Sequence, residues 1–410
     1  MALSDILVCR ECKHSIKFEE SGLQGLGFKL VVVCKCGRHY INSGPNVNTG
    51  YEINRRIVLV LRLLGLGLQS INLFCNFMDI GSGMSKKTYE NIVGHLYTAS
   101  QKVFFRVREK SVAEEKEQNI QHEKPLLNLK VSGDGTWKKR GFSSKYGVIT
   151  PIDYYTGKLI DLMVKSSEGK SCTLWEKKKD TPEYEAWLQN HAEDCSKNHD
   201  GSAGKMEVVG ILEMFSRSVQ LLVVRYEYYI GDGDTSTFKS ILNENPYGEE
   251  LKVKKRECIG HVSKRMGTRL RQVKKKEKIG GKGKLTDALI KKLSTYYGLA
   301  IRRNSENKLE MKKSIMATYV HLISTNEKPQ HSKRPTGKDI WCTYQKDLAD
   351  GKDMSLYEHK PSLHADVQKH ILPIYKDLSK DDLLERCLGA HTQNTNECFN
   401  MTVWKMCPNI

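Results

Sequence analysis

Two aspartates stand at the ends of runs that read as β-strands. Asp134 lies in Val131-Ser132-Gly133-Asp134-Gly135-Thr136-Trp137, and Asp232 in Tyr229-Ile230-Gly231-Asp232-Gly233-Asp234-Thr235. Glycines flank both carboxylates and are expected to leave them uncrowded. Taken alone, each motif reads as an ordinary Asp-Gly turn. Their joint occurrence after the first and fourth strands of a series points to a shared cation site. Mg²⁺ or Mn²⁺ takes a few carboxylates and waters, and a pair of such ions can activate an attacking oxygen while stabilising the leaving oxygen of a phosphodiester. A third carboxylate is needed, and Glu397 in His391-Thr392-Gln393-Asn394-Thr395-Asn396-Glu397 is the candidate; its other reading is a first-turn glutamate favoured by the helix dipole. Asp234 is the rival for the second position and a candidate to share the metal.

The chain has 12 cysteines, and in a reducing compartment close pairs read first as metal ligands. Cys9-x2-Cys12 and Cys34-x-Cys36 suit a four-thiolate Zn²⁺ site that would fold a segment too short to stabilise itself. The alternative is buried free cysteines, with His14 or His39 as substitute ligands. Arg10, Lys13, Lys35 and Arg38 give this module a route to DNA. A weaker zinc cluster is Cys172, His191 and Cys195, with His199 as a candidate fourth ligand. Cys258-x2-His261 is half a ligand set, suited either to packing or to holding DNA beside a reacting phosphate.

The elements that must position these groups follow from periodicity. Residues 50–122 read as helical, with the charged stretch 109–123 as a linker. Strands are expected over 127–131, 146–152 and 159–164, then a helix over 205–222, a strand over 223–230 and a helix after Thr235. One more strand falls in 251–258, followed by a basic helix over 262–276 and a lysine-rich, mostly helical stretch to Ala390. A closing helix over 396–406 has Asn394 or Thr395 as its cap.

Lys and Arg number 66 against 48 Asp and Glu, a net charge of +18 that points to a polyanion, nucleic acid before membrane; a solvated lysine-rich surface is the plain alternative. Candidate phosphate contacts are Lys254, Lys255, Arg256, His261, Lys264, Arg265, Arg269 and Arg271. Trp137, Tyr296, Tyr297 and Trp341 would stack on unpaired bases or belong to the core. The most apolar stretch, 57–78, is interrupted by Arg62, Gln69, Ser70, Asn72 and Asn76, so no membrane span is expected. The first residues lack a secretory pattern, and the basic runs are weak nuclear import signals, which places the protein inside the cell.

The segments DGTW, KRGFSSKYGV, YIGDGDTSTF, CIGHVSKRMGTRLR and NTNECFNMTVWKMCP resemble the transposase domain of eukaryotic cut-and-paste elements of the Mutator-like and Kolobok type, from about residue 125 onward. The resemblance implies an α/β fold with an RNase H-like core and a large helical insertion. It also implies an Asp-Asp-Glu site, matched here by Asp134, Asp232 and Glu397, that holds two Mg²⁺ or Mn²⁺ ions. Asp232 is preferred to Asp234 for its place near the strand end and its spacing to Pro246. The separation of 165 positions from Asp232 to Glu397 leaves room for the insertion. The expected division is a zinc module (1–50), a helical and candidate DNA-binding region (51–123), the first part of the core (124–265), a basic insertion (266–390) and the closing Glu helix (391–410). The implied activity is metal-dependent cleavage of transposon ends and strand transfer into target DNA. The implied partners are double-stranded DNA and a second copy of the chain, in the nucleus, with no small-molecule substrate. Two departures stand out: Trp175 occupies a place where the resemblance calls for cysteine, and so does Arg334 before Pro335. Only 13 residues follow Glu397, fewer than the resemblance implies. The alternative is a domesticated or truncated, inactive zinc-containing DNA-binding protein; a third reading is a zinc-dependent module that binds proteins.

Overall fold

The computed structural model describes residues 4, 6–81, 83–139, 144–191, 195–232, 235–330, 343–354, 357, 359 and 361–407. Two compact units make up the chain: Met1–Arg108 with Phe399–Ile410, and Glu109–Cys398.

In the first unit, strands β1 (Lys17–Gln24), β2 (Gly27–Cys34) and β3 (Gly37–Asn42) form an antiparallel sheet in chain order. A small ribbon, β4 (Asn46–Val47) with β5 (Gly50–Tyr51), leads into helices α1 (Glu52–Leu63), α2 (Leu68–Phe77) and the first part of α3 (Lys86–Gln121). Asn54, Val58 and Leu61 share one face of α1 at helical spacing and are buried. Val58 and Leu61 pack with Ile71, Cys75, Met84 and Ile92. The Asn54 side chain accepts the Leu26 N–H at 2.8 Å and donates to the Gln24 carbonyl at 2.7 Å, which ties the β1–β2 turn to α1. Among the described residues no single helix is long and apolar enough to cross a membrane.

The second unit begins within α3, where the structure departs from the expected linker. Residues 109–121 continue the helix, because its polar side chains are buried as hydrogen-bonding groups. The Glu115 carboxylate accepts the N–H groups of Tyr155 and Thr156 at 3.0 and 2.8 Å, and Asn119 donates to the carbonyls of Pro125 and Asn128 at 3.0 Å. The charged run expected as a linker thus caps a turn of the neighbouring sheet.

That sheet holds β6 (Asn128–Trp137), β7 (Tyr146–Asp153) and β8 (Met163–Ser166) as an antiparallel meander. After the short helices α4 (Lys170–Trp175) and α5 (Pro182–His191) and the long helix α6 (Ala203–Leu222), β9 (Arg225–Gly231) joins parallel to β6. Helix α7 (Thr235–Glu244) then leads to β10 (Lys254–Glu257), parallel to β9, which completes the order β10-β9-β6-β7-β8. One face packs on α6: Leu129, Val131, Ile149, Tyr226 and Tyr229 meet Ile211, Met214 and Phe215. The third strand lies later than the expected 159–164. Leu159 makes only an isolated bridge to Ile152, and Asp161 is buried with its carboxylate gripped by Arg217 at 2.8 and 2.9 Å, which takes the chain out of the ladder there.

Helices α8 (Ile259–Lys276), α9 (Asp287–Arg303), α10 (Lys308–Leu322), α11 (Thr343–Ala349), α12 (Ala365–Asp377) and α13 (Asp381–Cys387) follow, and all but α11 contribute to a second core that includes Met266, Leu293, Tyr297, Ile315, Ile371 and Leu384. Tyr297 belongs to that core, its hydroxyl donating to the Leu378 carbonyl at 2.8 Å. The last helix, α14 (Asn394–Met406), starts earlier than expected, so Asn394 and Thr395 lie in its first turn rather than capping it.

Strand β10 is locked to the helices by one buried carboxylate. Glu257 is 2% exposed and faces Arg265 at 2.6 Å, Arg386 at 3.2 Å and Lys255 at 3.6 Å. A buried ion that loses its partner is far more costly than an exposed one. Glu257→Gln is expected to lower unfolding stability by about 3 kcal/mol in urea titrations, against less than about 0.5 kcal/mol for Asp287→Asn in the exposed Lys274 pair. Equal losses would show that the Glu257 cluster carries no special weight.

Candidate functional site

The last register pair of the central parallel strands is Ser132↔Ile230, and two residues further along each strand stand Asp134 and Asp232. Val131 and Tyr229 face the α6 core, so by alternation Ser132, Asp134 and Ile230 belong to the opposite face, and Asp232 directly follows the end of β9. Asp134 is half-buried and its Oδ1 accepts the Gly135 N–H at 2.9 Å. The flanking glycines serve the other face: a Cβ on Gly133 or on Gly231 would lie 2.5 Å from a ring carbon of Tyr229. They make room for that ring, a role beyond the one read from their place beside the carboxylates. Asp234 lies outside the described residues.

Glu397 reaches the same region because α14 is sewn to β6. The Gln393 amide donates to the Gly133 carbonyl at 2.9 Å and the Asn396 amide to the Ser132 carbonyl at 3.1 Å, both from buried side chains. Between the acidic residues stands His261, in the first turn of α8. Its Nδ1 is 2.9 Å from Asp232 Oδ1 and its Nε2 is 3.9 Å from Glu397 Oε1. The Asp232 hydrogen bond raises the imidazole above its usual range, against the effect of burial. Cys258 is buried at the N-cap of α8. Among the described residues no three metal-ligand side chains that include Asp134, Asp232 or Glu397 converge within 4.8 Å.

Sequence reasoning missed three residues here. Gln393 and Asn396 carry a signal that was available, two amides at helical i, i+3 spacing directly before Glu397. Glu207 on α6 lies against Gly135, with its Oε1 3.4 Å from Thr237 Oγ1, and no motif pointed to it.

The basic residues separate into two groups. Lys255 is turned inward, its side chain 6% exposed beside Glu257, which corrects its reading as a phosphate contact. Arg265 pairs with Glu257, Arg269 with Asp377, and Lys254 with Glu227 at 2.9 Å, while Arg256 donates to the Glu385 carbonyl at 2.6 Å. Lys264 and Arg271 instead line a groove of about 550 Å³ between α8 and α9, together with Lys291 and Arg302. Among the described residues none of these four has an ion pair or hydrogen bond through its side chain, and Asp287 in the groove is taken by Lys274 at 2.9 Å. The two helices approach closely where Gly267 meets Ser294 and Gly298 meets Ser263.

Both cysteine clusters assemble. The Sγ atoms of Cys9, Cys12, Cys34 and Cys36 lie within 4.8 Å of one another, carried by the turn before β1 and the β2–β3 hairpin. Zn–S bonds of about 2.3 Å require tetrahedral S···S edges of about 3.8 Å, and Cys9 and Cys36 are 3.9 Å apart. A hydrogen bond from the His14 backbone lowers the Cys12 thiol to about 6, whereas Cys12 pushes Cys36 up to about 12. The set holds one negative charge readily and needs a cation to hold more, which is the chemistry Zn²⁺ supplies. His14, whose Nδ1 lies 2.6 Å from the Cys12 carbonyl oxygen, is not one of the donors that converge in this cluster.

In the second cluster Cys172 Sγ is 3.2 Å from His191 Nε2 and 3.3 Å from Cys195 Sγ, a three-donor set fit for a metal. His199 is not its fourth member: it is buried with Nε2 3.2 Å from the Ser202 carbonyl oxygen. Trp175 stacks on Trp187, and Trp187 stacks on His191 with centroids 4.3 Å apart, so the tryptophan found in place of cysteine buttresses the ligand ring. Arg334, Pro335 and Trp341 lie outside the described residues.

The sequence model of the Mutator-like transposase family matches residues 3–342, a span that includes Asp134, Asp232 and both cysteine clusters and ends before Gln393. No curated protein matches the chain.

Two outcomes follow from this geometry. Elemental analysis of Cys9→Ser is expected to show one zinc fewer per chain than the unmodified protein, and unchanged zinc would count against the four-thiolate site. The second concerns His391, buried edge-on to Tyr154 and lowered to about 3, first by burial and then by Lys130 and Arg256. The unfolded imidazole takes up its proton near 6.5 and the folded one does not, so this contribution is complete above that pH and is lost as pH falls toward 3. Between pH 7 and 5 the stability difference between the unmodified protein and His391→Asn is expected to narrow by about 2 kcal/mol; a pH-independent difference would contradict it.

Proposed function

The chain belongs to the Mutator-like transposase family, and on that premise we propose that it is a zinc-containing, double-stranded-DNA-binding protein of the nucleus with an RNase H-like core. Three antiparallel strands followed by two parallel ones, with helices on the sheet, support that core. The observation that carries the DNA reading is the α8–α9 groove. Lys264, Arg271, Lys291 and Arg302 share a groove whose one acidic residue, Asp287, is already engaged by Lys274. Such a concentration of like charge is relieved by a polyanion that displaces its counterions. Lys264 is one helical turn from His261, so the groove opens beside the strand-end carboxylates.

A second reading is that the bound DNA is also cut and joined. It is favoured by one observation, the pinning of Glu397 beside the strands that carry Asp134 and Asp232. With divalent ions bound, such a site supplies an activated oxygen nucleophile and stabilises the leaving oxygen. Asp134, Asp232 and Glu397 would hold those ions, with Asp234 as the other candidate in the second position. His261 would orient Asp232, and Gln393 and Asn396 would fix the approach of Glu397.

Fluorescence anisotropy of a labelled duplex, titrated over a range of NaCl, tests the first reading. Replacing Lys264 and Lys291 by Gln is expected to reduce the slope of log K against log salt by about 1.8; an unchanged slope would refute the groove. Mn²⁺-dependent nicking and strand transfer that vanish in Asp134→Asn would establish cutting, whereas binding without nicking in the unmodified protein would leave DNA binding alone.

A further inference from the structure

Thirteen or so ångströms before Asp134, on the same strand and face, the sheet carries a second basic feature that the α8–α9 groove does not include. Lys130 on β6 and Lys254 on β10 are both register partners of Tyr228 on β9, so the three form one row across the sheet. The Lys130 ammonium lies 4.2 Å from the ring centroid of Tyr154, 5.4 Å from that of Tyr155 and 5.8 Å from that of Tyr228. Arg256 lies 5.0 Å from the Tyr228 centroid. A cavity of about 370 Å³ opens here, lined among others by Lys124, Lys130, Arg256, Tyr155 and Tyr228.

The charges do not balance within it. Among the described residues the Lys130 ammonium has no hydrogen bond and no ion pair, only aromatic faces. Of the two carboxylates in the lining, Glu227 is already engaged by Lys254 at 2.9 Å and Glu123 is exposed to solvent, against the three cations Lys124, Lys130 and Arg256, the last of which meets a neutral carbonyl. Burial, then the charges of Arg256 and Lys124, lowers Lys130 to about 8, the behaviour of a cation short of a counter-charge. Tyrosine walls keep the local dielectric low, so an anion placed there would interact strongly with all three cations. Tyr155 is stacked on His122 at 4.3 Å and Tyr228 is ringed by cations, so these rings serve as walls rather than as open platforms for a base.

We propose that this cavity is a phosphate-binding pocket, with Lys130 at its floor and Arg256 and Lys124 at its sides, that receives one phosphate group of a nucleotide. The identity of the ligand rests on the DNA-binding reading, and a phosphodiester of bound DNA is the source that the nearness to Asp134 favours. The alternative source of the same chemistry is a free nucleotide.

The test uses the full chain with two probes, a labelled duplex and ATP, and the variants Lys130→Met, Lys130→Arg and Lys124→Gln. Lys124 is exposed, so its replacement reports on the pocket without a risk to folding. With duplex as ligand, Lys130→Met is expected to weaken binding about tenfold and to reduce the salt slope by about 0.9, with Lys124→Gln changing in the same direction and Lys130→Arg restoring both. Loss of ATP binding in Lys130→Met with DNA binding unchanged would assign the pocket to a free nucleotide. If both probes bind Lys130→Met and Lys124→Gln as they bind the unmodified protein, the pocket is refuted while the DNA-binding reading stands. If the unmodified protein binds neither probe, both fail.

Discussion

The side-chain amides of Gln393 and Asn396 hold the closing helix to the backbone of β6, and the placing of Glu397 beside the strand-end aspartates depends on this. The groups they join are 260 and 264 residues apart in sequence. Each hydrogen bond contributes only about 1 kcal/mol net, too little on its own to close a loop of that length. Most of the closure is therefore made elsewhere. Helices α8 to α10, α12 and α13 have their own core, which returns the chain to the sheet already ordered, and the Ile259 N–H bonds to the His391 carbonyl at 2.9 Å where the two ends meet. The amides then set register, because buried amide groups tolerate few alternative arrangements.

Charge is distributed to the same end. Glu257 collects Lys255, Arg265 and Arg386 at the junction of β10, α8 and α13, so part of the basic surplus is structural. Other cations, in the α8–α9 groove and at Lys130, have no carboxylate partner among the described residues. This division explains why a net charge of +18 is compatible with a compact fold: some cations neutralise buried carboxylates, and the others await a polyanion.

Much of this was legible in sequence, for identifiable reasons. All but the third strand of the sheet can be read from sequence because alternation and Asp-Gly turns are local signals, and both cysteine clusters can because tight pairs are local too. The stretch 109–123 reads as a linker because Glu115 and Asn119 have the composition of a solvated segment; the turn at Tyr155 and the Pro125 and Asn128 carbonyls give the reason that they are buried. Lys255 was misread because a basic run does not say which of its members alternates inward toward Glu257. The roles of Gly133 and Gly231 depend on Tyr229, and that of Trp175 on Trp187, pairings that arise only after folding. The Gln393 and Asn396 contacts were the least visible, being made to backbone carbonyls more than 250 residues away.

We propose that bound DNA lies in the α8–α9 groove with its backbone near Asp134, Asp232 and Glu397. Fe²⁺ with ascorbate and peroxide generates hydroxyl radicals at whatever site holds the ion, whether or not the protein is an active nuclease. On an end-labelled duplex bound to the protein, the expected result is DNA scission focused at one position, abolished by Asp134→Asn and broadened or lost when Lys264 and Lys291 are replaced by Gln. Uniform scission along the bound duplex, or a focused cut indifferent to both changes, would contradict it.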